Sequence, residues 1–318
     1  MIMLNVLEIT APIFTLIAIG YLAVLTSLIP AGLLPGLARF VLYLCVPSVI
    51  LSNFLRETAP YTFDLQFLKL YGIIAFSTLI LGFVLQRFIL GSSSVKSSIY
   101  AMGGSVPNSM FVGFPILLQA TPAVAAQVLV MCLLVENLIL TPCALLIADI
   151  NDAGGSGTRQ RIRLIAKRVI TNPMLIAICF GVGVSYFEIT PPQFILNSFD
   201  MLAKAATAAA LVFIGGSLVE TKFRGDLGAI FSIAALKLLL MPGIALFVIF
   251  ISGQGSGDDS LSSALVTALI LICASPMMSI FPIIASKYGL EKVTASSLLV
   301  TTALSFLTLN GFLAWVLR

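Results

Sequence analysis

Residues 97–119 read SSIYAMGGSVPNSMFVGFPILLQ, and this stretch decides the fold. Apolar residues dominate both ends. The middle holds Gly103, Gly104, Pro107, Gly113 and Pro115, with Ser105, Asn108 and Ser109 between them. Proline removes a backbone donor and clashes with the preceding turn, so Pro107 and Pro115 predict an interrupted helix. The pattern returns at 268–288, ALILICASPMMSIFPIIASKY, where Pro276 and Pro282 sit beside Ser275 and Ser279.

The surrounding chain explains where such a helix lies. Of 318 residues, 59% are apolar and only 9% are charged, against about 25% charged in an ordinary soluble domain. Water could not solvate this surface, and a disordered chain needs the opposite composition. Long apolar runs of about 20 residues read as membrane spans. They give an all-α membrane protein with ten transmembrane helices, near 4–26, 34–55, 66–89, 97–119, 123–148, 172–188, 197–220, 227–252, 261–285 and 294–317. The first lacks a basic leader and runs to about Leu25, so it reads as an uncleaved span. Pro173 suits the first turn of the short sixth span.

Three loops stand out: 149–171, with NDAGGSG and then Arg159, Arg161, Arg163, Lys167 and Arg168; 189–193, ITPPQ; and 253–259, GQGSGDD. The Gly/Ser pieces read as flexible connectors. GGSG lacks the spacing and strand–helix context of a nucleotide loop. With 149–171 placed in the cytoplasm, that side also carries Arg87, Lys96, Lys222, Arg224, Lys287 and Lys292, and the other side only Arg56, Lys69 and Arg318. This is a positive-inside distribution. It predicts a multi-pass protein of the plasma (bacterial inner) membrane with both termini non-cytoplasmic.

The two halves echo each other. Ile9-Thr10-Ala11-Pro12 matches Ile170-Thr171-Asn172-Pro173, Ala38-Arg39 matches Ala203-Lys204, and Phe114-Pro115-Ile116 matches Phe281-Pro282-Ile283, at offsets of 161, 165 and 167. Each offset fits five spans per half. Five is odd, so the second half must run inverted. The expected organisation is a first five-helix repeat at 1–148, a cytoplasmic basic loop at 149–171 and a second, inverted repeat at 172–318. Inverted repeats mark secondary transporters, whose substrates bind where the repeats meet.

Composition narrows the chemistry. There is no histidine, which removes His-based metal sites, nucleophile systems and proton relays. Cys45, Cys132, Cys143, Cys179 and Cys273 lie in apolar runs without a CxxC pair and read as small buried side chains. A net charge of +4 is too weak to suggest nucleic acid. No cofactor, metal site or catalytic residue is expected.

Interrupted backbone at membrane depth leaves polar groups that lipid cannot satisfy, so it must face protein or a watery cavity. Each break also exposes a half-helix N-terminus that favours anions. Paired breaks in the two halves are therefore the expected substrate site: Pro107, Asn108, Ser109, Gly113 and Pro115 from the fourth span, with Ser275, Pro276, Ser279 and Pro282 from the ninth. Small residues there (Gly103, Gly104, Gly113, Ala274) would let backbones cross closely.

These residues carry a resemblance. The run Pro107-Asn108-Ser109-Met110-Phe111-Val112-Gly113-Phe114-Pro115-Ile116-Leu117 is similar to the fourth-helix motif of the auxin efflux carrier family, whose members include plant carriers and bacterial permeases for malonate or related acids. Ser275-Pro276 through Phe281-Pro282 to Ser286-Lys287-Tyr288, Leu236-Lys237-Leu238 with Met241-Pro242, and Asn172-Pro173 resemble its ninth, eighth and sixth helices. The resemblance implies a fold shared with bile-acid/sodium symporters, with helices 4 and 9 broken and crossing. It implies a scaffold of helices 1, 2, 6 and 7, a moving domain of helices 3–5 and 8–10, and a homodimer through the scaffold. It also implies a carboxylate substrate at the crossover, with Asn108 as a binding residue. Met277 and Met278 follow Pro276 where plant members are more polar, and the large plant loop is absent; both argue against auxin itself.

The charges inside the spans are chiefly four. Glu136, in the fifth, costs roughly 2.5–3.5 kcal/mol on insertion scales and is a candidate proton carrier or a structural carboxyl. Lys237, in the eighth, is expected to pair with Glu136 or with a substrate carboxylate. Arg39 and Lys204, about five residues into the second and seventh spans, either attract an anion or snorkel to the interface. Glu8 reads as interfacial. Asn53, Asn137, Thr267, Thr301, Thr302 and Asn310 read as inter-helix hydrogen-bonding groups.

The expected function is a secondary active or facilitative carrier of a small organic anion, working by alternating access. The alternative is sodium-coupled anion symport, with carbonyl and hydroxyl oxygens near the crossover holding the ion. An intramembrane enzyme would be left with Ser–Lys chemistry alone. A channel would need rings of like charge that the repeats do not supply.

Overall fold

The computed structural model describes residues 2–56, 63–151, 163–164, 166–167, 169–219, 225–253 and 261–316. Within these the chain is helical. The elements are α1 (Ile2–Leu25), α2 (Ala31–Leu55), α3 (Leu65–Ile89), α4 (Ser94–Ser105), α5 (Ser109–Ala120), α6 (Ala125–Ile150), α7 (Pro173–Tyr186), α8 (Gln193–Val219), α9 (Leu227–Ile251), α10 (Ser263–Ala274), α11 (Phe281–Ser286) and α12 (Glu291–Val316). Seven of them, α1, α2, α3, α6, α8, α9 and α12, are long and apolar enough to cross a membrane. The fourth and ninth expected spans each fall into two shorter helices, and the sixth is the 14-residue α7.

Local chemistry sets the boundaries. Asp64, Ser93, Asn172, Asp226 and Ser262 cap helices, each side chain accepting a hydrogen bond from a backbone N–H two or three residues on. This satisfies donors that a helix start leaves orphaned. The seventh expected span begins earlier than the sequence suggested, at Gln193 rather than near 197. Pro191 and Pro192 do not break it; the Pro192 carbonyl already accepts from Ile195, as suits a proline in a first helical turn.

Five helices widen for one turn into π geometry, at Val41–Cys45, Leu85–Ile89, Ser109–Gly113, Glu136–Leu140 and Leu236–Leu240. Four of these end two residues before a proline: Pro47, Pro115, Pro142 and Pro242. A proline inside a helix leaves the earlier carbonyl without its usual donor. The wider turn is how each of these helices absorbs it without breaking.

Packing sorts the helices into two groups. In one, α1 lies along α8, and α2 packs on α7 and α8. There the backbones touch: a Cβ on Gly215 would stand 1.9 Å from the Ile17 carbonyl oxygen, and one on Gly20 would stand 2.3 Å from that of Val212. In the other group α3 packs on α4 and α9, α4 on α6, and α12 on α9 and α11. A buried core runs through both, including Phe54, Phe67, Tyr71, Met102, Phe111 and Phe281.

Most of the 149–171 loop lies outside the described residues, and so does most of 253–259. Where the chain is described again, residues 163–164, 166–167 and 169–170 are helical rather than loop. Arg159, Arg161, Arg168, Lys222, Arg224 and Arg318, used above for orientation, also lie outside the described residues.

Candidate functional site

Between α4 and α5 the chain leaves helical geometry at Val106–Asn108, and between α10 and α11 it does so at Ser275–Ile280. The two segments bond to each other. Pro107 and Met277 form an antiparallel bridge. The Asn108 N–H donates to the Pro276 carbonyl at 2.7 Å, and the Met278 N–H donates to the Val106 carbonyl at 3.2 Å. Backbone groups that proline frees inside a membrane must find a partner, and here each segment supplies the other's.

Asn108 is the hub. Its backbone N–H joins the bridge, and its side-chain NH₂ donates to Ser279 Oγ at 2.6 Å. Its side-chain oxygen accepts from the Phe111 N–H at 3.3 Å, capping α5. Next to it, Ser109 donates its hydroxyl to Glu136 Oε1, which also accepts from the Tyr71 hydroxyl at 2.7 Å. Glu136 is buried on α6. Its carboxyl therefore sits against the opening turn of α5, where a helix favours negative charge.

Lys237 does not form an ion pair with Glu136, contrary to one expectation. Its ammonium donates to the Cys273 carbonyl at 2.8 Å and lies 3.0 Å from Met241 Sδ. Cys273 lies in the last turn of α10, whose carbonyls have no helical partner. A cation there also complements the negative end of the helix. A fully buried lysine is thus used as the C-terminal cap of an interrupted helix.

A small cavity of about 50 Å³ opens beside the bridge. Pro107, Asn108, Ser109, Glu136, Asn137 and Thr141 supply its polar wall, with Met278 and Ile280 from the second segment. Gly113, Pro115, Ser275, Pro276, Ser279 and Pro282 are not on that wall. Gly113 faces Ile272, Pro115 is buried in α5, and Ser275 bonds back to the Leu271 carbonyl at 2.9 Å. Pro276 and Ser279 take part through their bonds to Asn108, and Pro282 opens α11. Gly103 and Gly104 do not let backbones cross: they make room for the Phe281 ring and the Leu236 side chain.

Arg39 and Lys204 lie away from this cluster and are exposed. Tyr71 was missed in the sequence. Its signal was a lone phenol in an apolar span, since a buried tyrosine hydroxyl requires a partner. Asn137, read only as a polar group between helices, donates to the Leu133 carbonyl and accepts from Asn172, tying α6 to the cap of α7.

Helices of membrane-spanning length around a buried polar centre make this a multi-span integral membrane protein. More narrowly, the chain belongs to the membrane transport protein family, whose pattern residues 5–313 match. It is thus a membrane transporter, in line with the likeness to auxin efflux carriers carried by residues 107–117. A curated relative from Rhizobium meliloti (strain 1021), named "Putative malonate transporter", is 24% identical over 316 residues, covering 98% of this chain and 96% of the relative.

Proposed function

We propose that the protein carries a small organic anion of the carboxylate class across the plasma membrane, binding it where Val106–Ser109 meets Ser275–Ser279. The observation that carries this reading is the antiparallel bridge between the two segments, with the Asn108 amide at its centre. The carboxylate would be held by that amide and by N–H groups at the start of α5; Asn108 caps only the N–H of Phe111. The malonate named for the relative belongs to the same ligand class.

In this reading α4–α5 and α10–α11 are the interrupted fourth and ninth of ten spans, in inverted repeats at 1–148 and 172–318. The group containing α1, α2, α7 and α8 is the static scaffold, and a homodimer forms through it. The remaining helices move past it in an elevator-like cycle, exposing the site to either side. A cavity of about 50 Å³ has room for one or two waters at about 30 Å³ each. Substrate must therefore part the two segments, and the hydrogen bonds of Asn108 to Ser279 and of Ser109 to Glu136 are the contacts it replaces. Glu136 is the proposed proton carrier, because the carboxyl that takes or loses the proton is the one that holds Ser109.

The test is binding of a panel of mono- and dicarboxylates to purified protein, with Asn108→Ala beside wild type. Affinity should fall at least tenfold, which corresponds to about 1.4 kcal/mol. Unchanged affinity in the variant would remove the site. In proteoliposomes, uptake should follow an imposed proton gradient in wild type and lose that response in Glu136→Gln. Uptake driven by sodium instead would overturn the assignment of Glu136.

A further inference from the structure

A second, larger cavity lies between the two helix groups. It encloses about 680 Å³ and is bordered by α2, α5, α6 and α8. Its apolar wall includes Phe114 and Leu118; its polar groups are Ser52, Asn53, Gln119, Asp200, Lys204 and Thr207. Because α8 starts at Gln193, Lys204 stands 11 residues into the helix, about 16 Å along its axis at 1.5 Å per residue. Its exposed side chain borders the cavity.

Two further observations point to an anion at this cavity. Lys204 makes no hydrogen bond or ion pair among the described residues, whereas Asp200, one turn away, is already engaged. Second, α5 connects the two sites: its first residues hold the bridge and its last turns, from Phe114 to Gln119, line the cavity.

We infer that this cavity is a vestibular binding site for the carboxylate, with Lys204 as the charge that first engages it and Gln119 and Thr207 completing the polar contacts. The cavity lies at the ends of α2 and α5, the beginning of α6 and the first half of α8, so the expected positive-inside orientation would turn it to the non-cytoplasmic side. This rests on the proposed anion transport. A cation in a cleft of low-dielectric walls concentrates anions and speeds their capture. Loss of Lys204 should therefore weaken capture and leave the crossing step intact.

The experiment measures binding and proteoliposome uptake of malonate and a panel of other mono- and dicarboxylates for wild type, Lys204→Gln, Lys204→Arg and Asn108→Ala. Lys204→Gln should raise KM at least fivefold with kcat within twofold of wild type, and Lys204→Arg should restore KM. In Lys204→Cys, a reagent that attaches an ammonium should recover affinity, and one that attaches a sulfonate should not. KM unchanged in Lys204→Gln while Asn108→Ala loses binding would overturn the vestibular site alone. Absence of binding by every carboxylate in wild type would overturn both sites.

Discussion

The two non-helical segments meet as equals in the backbone and as opposites in their chemistry. Val106–Asn108 leads into the N-terminus of α5, and a carboxyl, Glu136, stands against that turn through Ser109. Ser275–Ile280 leaves the C-terminus of α10, and an ammonium, Lys237, closes that end through the Cys273 carbonyl. Each charge faces the helix end of opposite polarity. At an offset of 166, within the range of the proposed repeat, Tyr71 would correspond to Lys237 and Glu136 to Thr302. Tyr71 bonds Glu136, while the Thr302 hydroxyl is buried without a partner. On the proposed repeat, the crossover thus carries one buried charge per half, of opposite sign, rather than the same charge twice. The price of a buried charge is met locally in each half, by hydrogen bonds to the helix end it serves.

The largest expected effect breaks the second half. Lys237→Met keeps an unbranched side chain one atom shorter but leaves the Cys273 carbonyl buried and unpaired, which costs about 1–3 kcal/mol. The melting temperature of the detergent-solubilised protein should drop, and uptake should be lost as α10 shifts. A Lys237→Met protein as stable as wild type would mean that the lysine is not the cap.

Glu136→Leu should be of comparable size, because it removes the acceptor for both Tyr71 and Ser109 and strands two buried hydroxyls. Glu136→Gln retains an acceptor and should melt within a few degrees of wild type, losing only its response to the proton gradient. Combining Glu136→Gln with Lys237→Met asks whether the two charges offset each other through space. A double variant less destabilised than the sum of the singles, by about 0.5 kcal/mol or more, would show coupling. Strict additivity would show that each charge serves its own helix end alone.

Much of this was legible in the sequence, for reasons that are local. Pro107 and Pro276 announce the interruptions because a missing N–H acts on its own turn, and the breaks fall where they stand. Asn108 was expected only as a binding residue, and its capping of α5 is what the structure adds. What was not legible is directional. Glu136 and Lys237 were visible as buried charges of opposite sign, which suggested a mutual pair. The π turns at Glu136–Leu140 and Leu236–Leu240 belong to the helices that carry these charges, and one hydrogen bond shifted by a residue turns a side chain by about 100°. The prolines at 142 and 242 were the available signal. The start of α8 was set too late for a similar reason: Pro191-Pro192 read as a loop, although the first turn of a helix tolerates proline.

The smallest effect probes the contact between the halves rather than either charge. A Cβ on Gly113 would meet Ile272 Cδ1 at 2.6 Å and lie 3.4 Å from Ser275 Oγ. The obstructing atom is the end of a flexible side chain, so Ile272 can rotate aside. Gly113→Ala should cost about 1 kcal/mol, at the low end for overpacking. By contrast Gly215 faces the Ile17 backbone, which cannot give. If α5 and α10 travel as one body, Gly113→Ala should lower stability slightly and leave kcat unchanged. If they separate during the cycle, the added methyl sits on the parting surface, and kcat should change while binding affinity holds. The comparison of melting temperature with kcat in this one variant therefore decides whether the two halves of the site move together.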